Sequence, residues 1–137
     1  EDFFIFARIE SLVVGAGLED ALMRAEEYIS AGADGIMIHS ANNKPDEIFE
    51  FAQSYKRNIS SKPLIAVPSS YFHVTENELE KQGVNVVIYA NHLLRSAIPS
   101  MIKTAQSILE HGTSSFIDSE IMSIKDILKL FSSDEIQ

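Results

Sequence analysis

The chain has no cysteine and no tryptophan, only four prolines and four histidines, and eleven basic residues against twenty acidic ones in a length of 137. Without cysteine there is no disulfide framework, no thiolate nucleophile and no Cys-ligated zinc, and the composition is compatible with a cytoplasmic setting. A net charge of −9 at pH 7 repels phosphate backbones and anionic headgroups, so neither a nucleic-acid nor a membrane partner is expected. Long apolar runs are also missing. The longest, residues 3–7 and 86–90, are strand-sized and far short of the roughly 20 residues that cross a bilayer. What is present, 45% hydrophobic and 23% charged residues, is the composition of one globular domain.

Four short apolar segments bounded by turn signals read as buried parallel strands: residues 3–9, 35–40, 64–68 and 84–90. Helical patterns separate them. Leu18, Leu22, Ala25 and Ile29 share one face of the first, the charged residues Glu19, Asp20, Arg24, Glu26 and Glu27 are mostly solvated, and Gly32 provides a stop. Pro45, Asp46 and Glu47 open the second, whose stripe is Ile48, Phe51, Ala52 and Tyr55. The third runs from about Thr75 to Gln82, with Thr75 and Glu78 in capping-box spacing and Gly83 at its end. A long fourth stripe, from Leu94 to Leu109, is interrupted by Pro99, which must either kink the helix or open its longer portion. Ile121, Ile124, Ile127, Leu128 and Phe131 suggest a short terminal helix, and residues 132–137 a frayed tail. There is a weak internal repeat as well, because the stretch from Gly32 to Ile38 echoes that from Gly83 to Tyr89.

Strict β-α alternation implies right-handed crossovers and a parallel sheet covered by helices. A complete (β/α)8 barrel takes about 250 residues, so four βα units make either a small open α/β domain or half a barrel. Glu1 leads straight into an apolar run with no start methionine, as if the chain were entered mid-domain. The expected fold is therefore α/β, the C-terminal half of a (β/α)8 TIM barrel over residues 1–131.

Ligand sites in such folds lie at the carboxyl ends of the strands. Arg8 and Glu10 end the first strand, His39 and Ser40 the second, Ser69 and Ser70 the third, and Asn91 and His92 the fourth. Period-two alternation puts Arg8 on the face that carries Phe4 and Phe6. A guanidinium there needs a partner, either a structural carboxylate such as Glu10 or an anionic ligand. An isolated histidine at a strand end is usually structural, but His39 beside Arg8 could hold an anion or steady developing negative charge. Ser69, Ser70 and Asn91 could donate to a substrate, or serve only loop and capping roles. No two histidines have metal-ligand spacing. The glycine-rich stretch from Gly15 to Asp20 has an aspartate where a dinucleotide fingerprint needs its third glycine.

Several stretches together resemble the phosphoenolpyruvate mutase family of the isocitrate lyase superfamily. They are Ala7-Arg8-Ile9-Glu10 within residues 1–12, Ile38-His39-Ser40 within 32–40, Val67-Pro68-Ser69-Ser70-Tyr71, and Tyr89-Ala90-Asn91-His92-Leu93-Leu94-Arg95 within 87–95. The resemblance covers about residues 1–130. It implies a magnesium-dependent barrel enzyme that interconverts phosphoenolpyruvate and phosphonopyruvate, the carbon–phosphorus bond-forming step of phosphonate biosynthesis. It implies Arg8 and His39 as catalytic residues; their strand-end positions make Glu10, Ser40, Ser69 and Asn91 a second tier of substrate-binding candidates. The transferred group would pass as a metaphosphate-like species between pyruvate enolate positions. The magnesium ligands and gating loop belong to earlier strands, so no metal ligand is expected in this segment, and a homo-oligomer is implied. A phosphonopyruvate hydrolase, a carbon–carbon lyase of the same superfamily, or a non-catalytic half-barrel interaction module are the alternatives.

Overall fold

In the computed structural model, described over residues 3–59 and 61–131, the elements alternate as the hydrophobic pattern demands. The proposed tail at 132–137 lies outside the described residues. Strands β1 (Phe6–Ile9), β2 (Gly35–Ile38), β3 (Leu64–Ala66) and β4 (Val86–Val87) form a sheet in the order β1-β2-β3-β4. All neighbours are parallel. Helices α1 (Gly17–Ser30), α2 (Asp46–Ser54) and α3 (Glu76–Gln82) are the crossovers. The chain forms two compact units, Glu1–Ala90 with the sheet and Asn91–Gln137 with helices α4 (His92–His111) and α5 (Ile124–Phe131).

The strand pleat sorts side chains onto two faces. Ile9, Ile36, Ile38, Leu64 and Ala66 point into a core closed by Ala21 and Ala25 of α1, Phe51 and Ala52 of α2, and Leu79 of α3. The opposite face carries Phe6, Arg8, Met37, Ile65 and Val86, which the strand register aligns across the sheet. Within this unit, α1, α2 and α3 thus cover one face of a sheet whose strands run in sequence order. A doubly wound domain has helices on both faces, whereas a barrel wall has them on the outside only. The fold is half of a (β/α)8 barrel, and Arg8 stands on the face that a barrel turns inward.

The internal repeat has a structural cause. Gly32 and Gly83 both end a helix at φ +105°, a conformation costly to any residue with a Cβ. Two residues later, the Asp34 amide donates to the Ile5 carbonyl at 2.8 Å while its carboxylate accepts from the Ile5 amide at 2.8 Å. Asn85 repeats this clamp on Leu64, donating from its amide at 2.8 Å and accepting on its side-chain oxygen at 3.0 Å. Each clamp sets the start of a parallel strand pair, so Asp34 has a structural task.

The helix signals hold in detail for α3, where Thr75 and Glu78 form a reciprocal capping box and Gly83 is left-handed. Other boundaries differ from expectation. The ladders stop at Ala66 and Val87, earlier than the apolar runs do, and at Ile38, two residues short of the expected strand end at Ser40. At the other end, Phe3, Phe4 and Ile5 precede the β1 ladder and are exposed. Helix α2 continues into a π-helical turn, Tyr55–Ile59. Helix α4 begins at His92 and runs through Pro99, so the proline does not open it. Pro99 lacks the N–H that would serve the Arg95 carbonyl. Hydroxyls of Ser96 and Thr104 bond back to carbonyls at Leu93 and Ser100, 2.8 and 3.0 Å away.

Candidate active-site face

Arg8 sits next to the end of β1, opposite Met37 in the register. Its Nε donates to the Glu10 carboxylate, and its Nη1 lies 4.0 Å from the Met37 sulfur. The two side chains are 51% and 42% exposed, so this ion pair is solvated. Carboxylate contact through Nε, with only a weak sulfur acceptor on Nη1, leaves the fork able to take a carboxylate or phosphoryl group on its terminal nitrogens. Glu10 meanwhile fixes where the fork stands.

His39 follows β2 by one residue, and continuing the pleat places it on the Met37 side. The ring is half-buried, and its Nδ1 is buried without a hydrogen-bond partner among the described residues. A buried polar nitrogen in that state costs free energy unless a ligand or water completes it. Arg8 and His39 therefore occupy adjacent strand ends on the uncovered face.

The remaining candidates are placed differently. Ser40 is fully buried; its hydroxyl donates to Glu47 and accepts the Asn42 amide at 2.9 Å. Ser69 lies in a tight turn, its amide 2.8 Å from the Val67 carbonyl, above a buried Tyr71 whose hydroxyl is pushed up to about 12 by burial. Asn91 heads the second unit as the residue before α4 and makes no side-chain capping bond. Arg8, Glu10 and Met37 touch, whereas Ser40 and Ser69 stand at the ends of neighbouring strands and Asn91 belongs to the other unit.

Two helix carboxylates, Asp20 among the residues expected to be solvated and Glu47 expected only to open α2, are tied to strand-end loops. Asp20 accepts from the Ser11 hydroxyl at 2.5 Å and from Arg24 Nε at 2.7 Å. Arg24, then Ser11, hold its carboxyl below the ordinary value of 3.8. Glu47 accepts from Ser40. The signal available in the sequence was a serine at each strand end followed by an acid in the first turn of the next helix.

Among the described residues, no group of three or more histidine, aspartate or glutamate side chains could hold a metal ion. Among the described residues, no helix is long and apolar enough to cross a membrane.

A one-sided parallel sheet with its polar strand ends on one edge is part of the wall of a (β/α)8 barrel. The family model for phosphoenolpyruvate phosphomutase matches residues 1–109, and the chain belongs to that family. The chain is 38% identical over 136 residues to a phosphoenolpyruvate phosphomutase of Tetrahymena pyriformis, covering 99% of this chain and 44% of that protein. The crystal structure of phosphoenolpyruvate phosphomutase from Streptomyces platensis subsp. rosaceus superposes with a TM-score of 0.87 at 36% identity, covering 94% of this chain and 44% of that one. A phosphonopyruvate hydrolase solved with oxalate and Mg2+ gives a TM-score of 0.83, also at 36% identity, covering 94% of this chain and 45% of that one. This chain therefore spans less than half the length of these relatives.

Proposed function

We propose that the full-length protein is a phosphoenolpyruvate mutase and that these residues supply one half of its barrel, the C-terminal half. The observation that carries this reading is the pairing, on one uncovered sheet face, of Arg8 with its terminal nitrogens available and His39 with an unsatisfied Nδ1. Phosphoryl transfer through a loose transition state asks little of a protein beyond positioning and charge stabilisation. Arg8 holds two oxygens of the transferred group, His39 a third, and Glu10 keeps the guanidinium in place. The enol oxygen–phosphorus bond breaks as the enolate methylene carbon takes the phosphorus. Its electron pair makes the new carbon–phosphorus bond, and the ketone re-forms without a net proton change. Ser69 is assigned to the remainder of the substrate. Magnesium and its ligands are assigned to residues outside this segment.

The protein is further proposed to be a cytoplasmic homo-oligomer. Leu93 and Leu109 of α4 and Phe131 of α5 are more than four-fifths exposed, as surfaces that a neighbouring subunit buries would be.

A hydrolase is the second reading, favoured by the likeness to the phosphonopyruvate hydrolase at nearly the same TM-score. In it, water instead of an enolate takes the phosphoryl group. Phosphorus NMR of the full-length protein with phosphonopyruvate and magnesium separates the two. A new phosphoenolpyruvate resonance supports the mutase, orthophosphate replaces that reading with the hydrolase, and an unchanged spectrum contradicts both.

A further inference from the structure

Among the described residues, the buried polar or charged side chains are Ser11 and Ser40, at 4% and 0% exposure. Each stands two residues beyond a strand end, Ser11 after the strand that bears Arg8 and Ser40 directly after His39, and both donate to a carboxylate on the helix that follows, Asp20 of α1 and Glu47 of α2. The second pair is placed more tightly. Ser40 is bonded in sequence to His39, its hydroxyl hydrogen goes to Glu47, and its oxygen receives the Asn42 amide at 2.9 Å. With donor and acceptor both engaged, the hydroxyl serves the loop and not a substrate.

Glu47 lies in the first turn of α2, where the helix dipole favours a negative charge. The residue at the N-cap is Pro45, whose side chain makes no capping hydrogen bond. Behind Glu47, the buried side chains Ile48, Phe51 and Ala52 fix α2 to the core. The imidazole itself has no such restraint at Nδ1, which is buried and unpartnered among the described residues. The direction of the ring must therefore be inherited from its backbone.

We propose that Ser40 and Glu47 form a latch that positions His39, with Glu47 acting as a positioning residue through Ser40. This inference rests on the mutase reading for its kinetic test and stands apart from it in its spectroscopic one. A catalytic group displaced by about 1 Å loses on the order of a hundredfold in rate. In the full-length protein, Glu47→Ala is expected to lower kcat by about ten- to a hundredfold with a much smaller change in KM. Glu47→Gln, whose side-chain oxygen still accepts from Ser40, recovers most of that loss. Because the latch acts through the imidazole, Glu47→Ala has no further effect in a His39→Ala background.

The test is this double-mutant cycle, run with phosphonopyruvate and magnesium beside histidine-selective NMR of the imidazole resonances. A His39 resonance that shifts or splits in Glu47→Ala and is restored in Glu47→Gln supports the latch, as does loss of the kinetic effect without His39. Equal loss of rate in both backgrounds, or an unmoved His39 resonance, overturns it. If the wild-type protein does not turn over phosphonopyruvate, the mutase reading fails while the resonance still decides the latch.

Discussion

Replacing Arg8 by alanine separates the two roles that its guanidinium could play. As half of a structural ion pair it would matter to stability, yet the two side chains are 51% and 42% exposed. Solvated pairs of that kind contribute about 0–1 kcal/mol, because water screens the charges and two long side chains lose freedom. At the outer limit, about 1 kcal/mol lowers the melting temperature of a protein of roughly 150–250 residues by about 2–4 °C. As the group that holds a phosphoryl oxygen, Arg8 acts where charge develops. Losing one such donor typically costs about 2.7–4 kcal/mol of transition-state stabilisation, on the order of a hundred- to a thousandfold in kcat. Arg8→Ala in the full-length protein is thus expected to abolish most turnover while barely changing the melt. Arg8→Lys restores charge without the planar fork and should recover only part of the rate. Turnover followed by phosphorus NMR, with thermal melts on the same samples, reads both quantities. A large fall in melting temperature with kcat within threefold of wild type would refute the assignment and leave Arg8 as a structural cation.

Further outcomes follow from the same geometry. The 137-residue chain alone, supplied with magnesium and phosphonopyruvate, should show no turnover, since it spans 44% of the length of the Tetrahymena relative and the magnesium ligands are assigned outside it; measurable product would contradict this. Phe51 is fully buried and stacks on Tyr55 with ring centroids 6.0 Å apart, so Phe51→Ala should destabilise the full-length protein by about 3–5 kcal/mol in denaturant titrations. A loss below about 1 kcal/mol would mean that the core can collapse around the gap. The Asp20 carboxyl is held below 3.8, by Arg24 first and then Ser11, and that of Glu78 below 4.5 by its bonds to Thr75. A depressed folded-state value gives stability that is present above the unfolded value and lost as pH falls through the folded one. Acid melts should therefore weaken progressively below about pH 4.5, and Asp20→Asn should flatten the part of that slope below pH 3.8. An unchanged slope would mean that Asp20 is not engaged in solution.

Much of this architecture is legible in the chain because local and global signals agree. Thr75, Glu78 and Gly83 announce both ends of α3, and the apolar stripe from Ile48 to Tyr55 faces the core it predicts. The strand ends were less legible. Hydrophobic runs continue past Ala66 and Val87, while hydrogen-bonded pairing depends on the neighbouring strand, which no local pattern reports. Pro99 misleads for a related reason: a helix flanked by serine and threonine hydroxyls tolerates a missing amide that propensity alone counts as a break. At the candidate site, Arg8 and His39 could be singled out because charge and imidazole on an apolar strand are conspicuous. Glu47 and Asp20 could not, since an acid in the first helical turn is ordinary until a buried serine is found pointing at it.

The central claim is that the uncovered sheet face carrying Arg8 and His39 receives the substrate. A crystal structure of the full-length protein with phosphonopyruvate and magnesium tests it directly. The account predicts phosphonate oxygens on the terminal nitrogens of Arg8 and on Nδ1 of His39. A phosphonate bound elsewhere, with His39 Nδ1 bonded to a protein group, would contradict it.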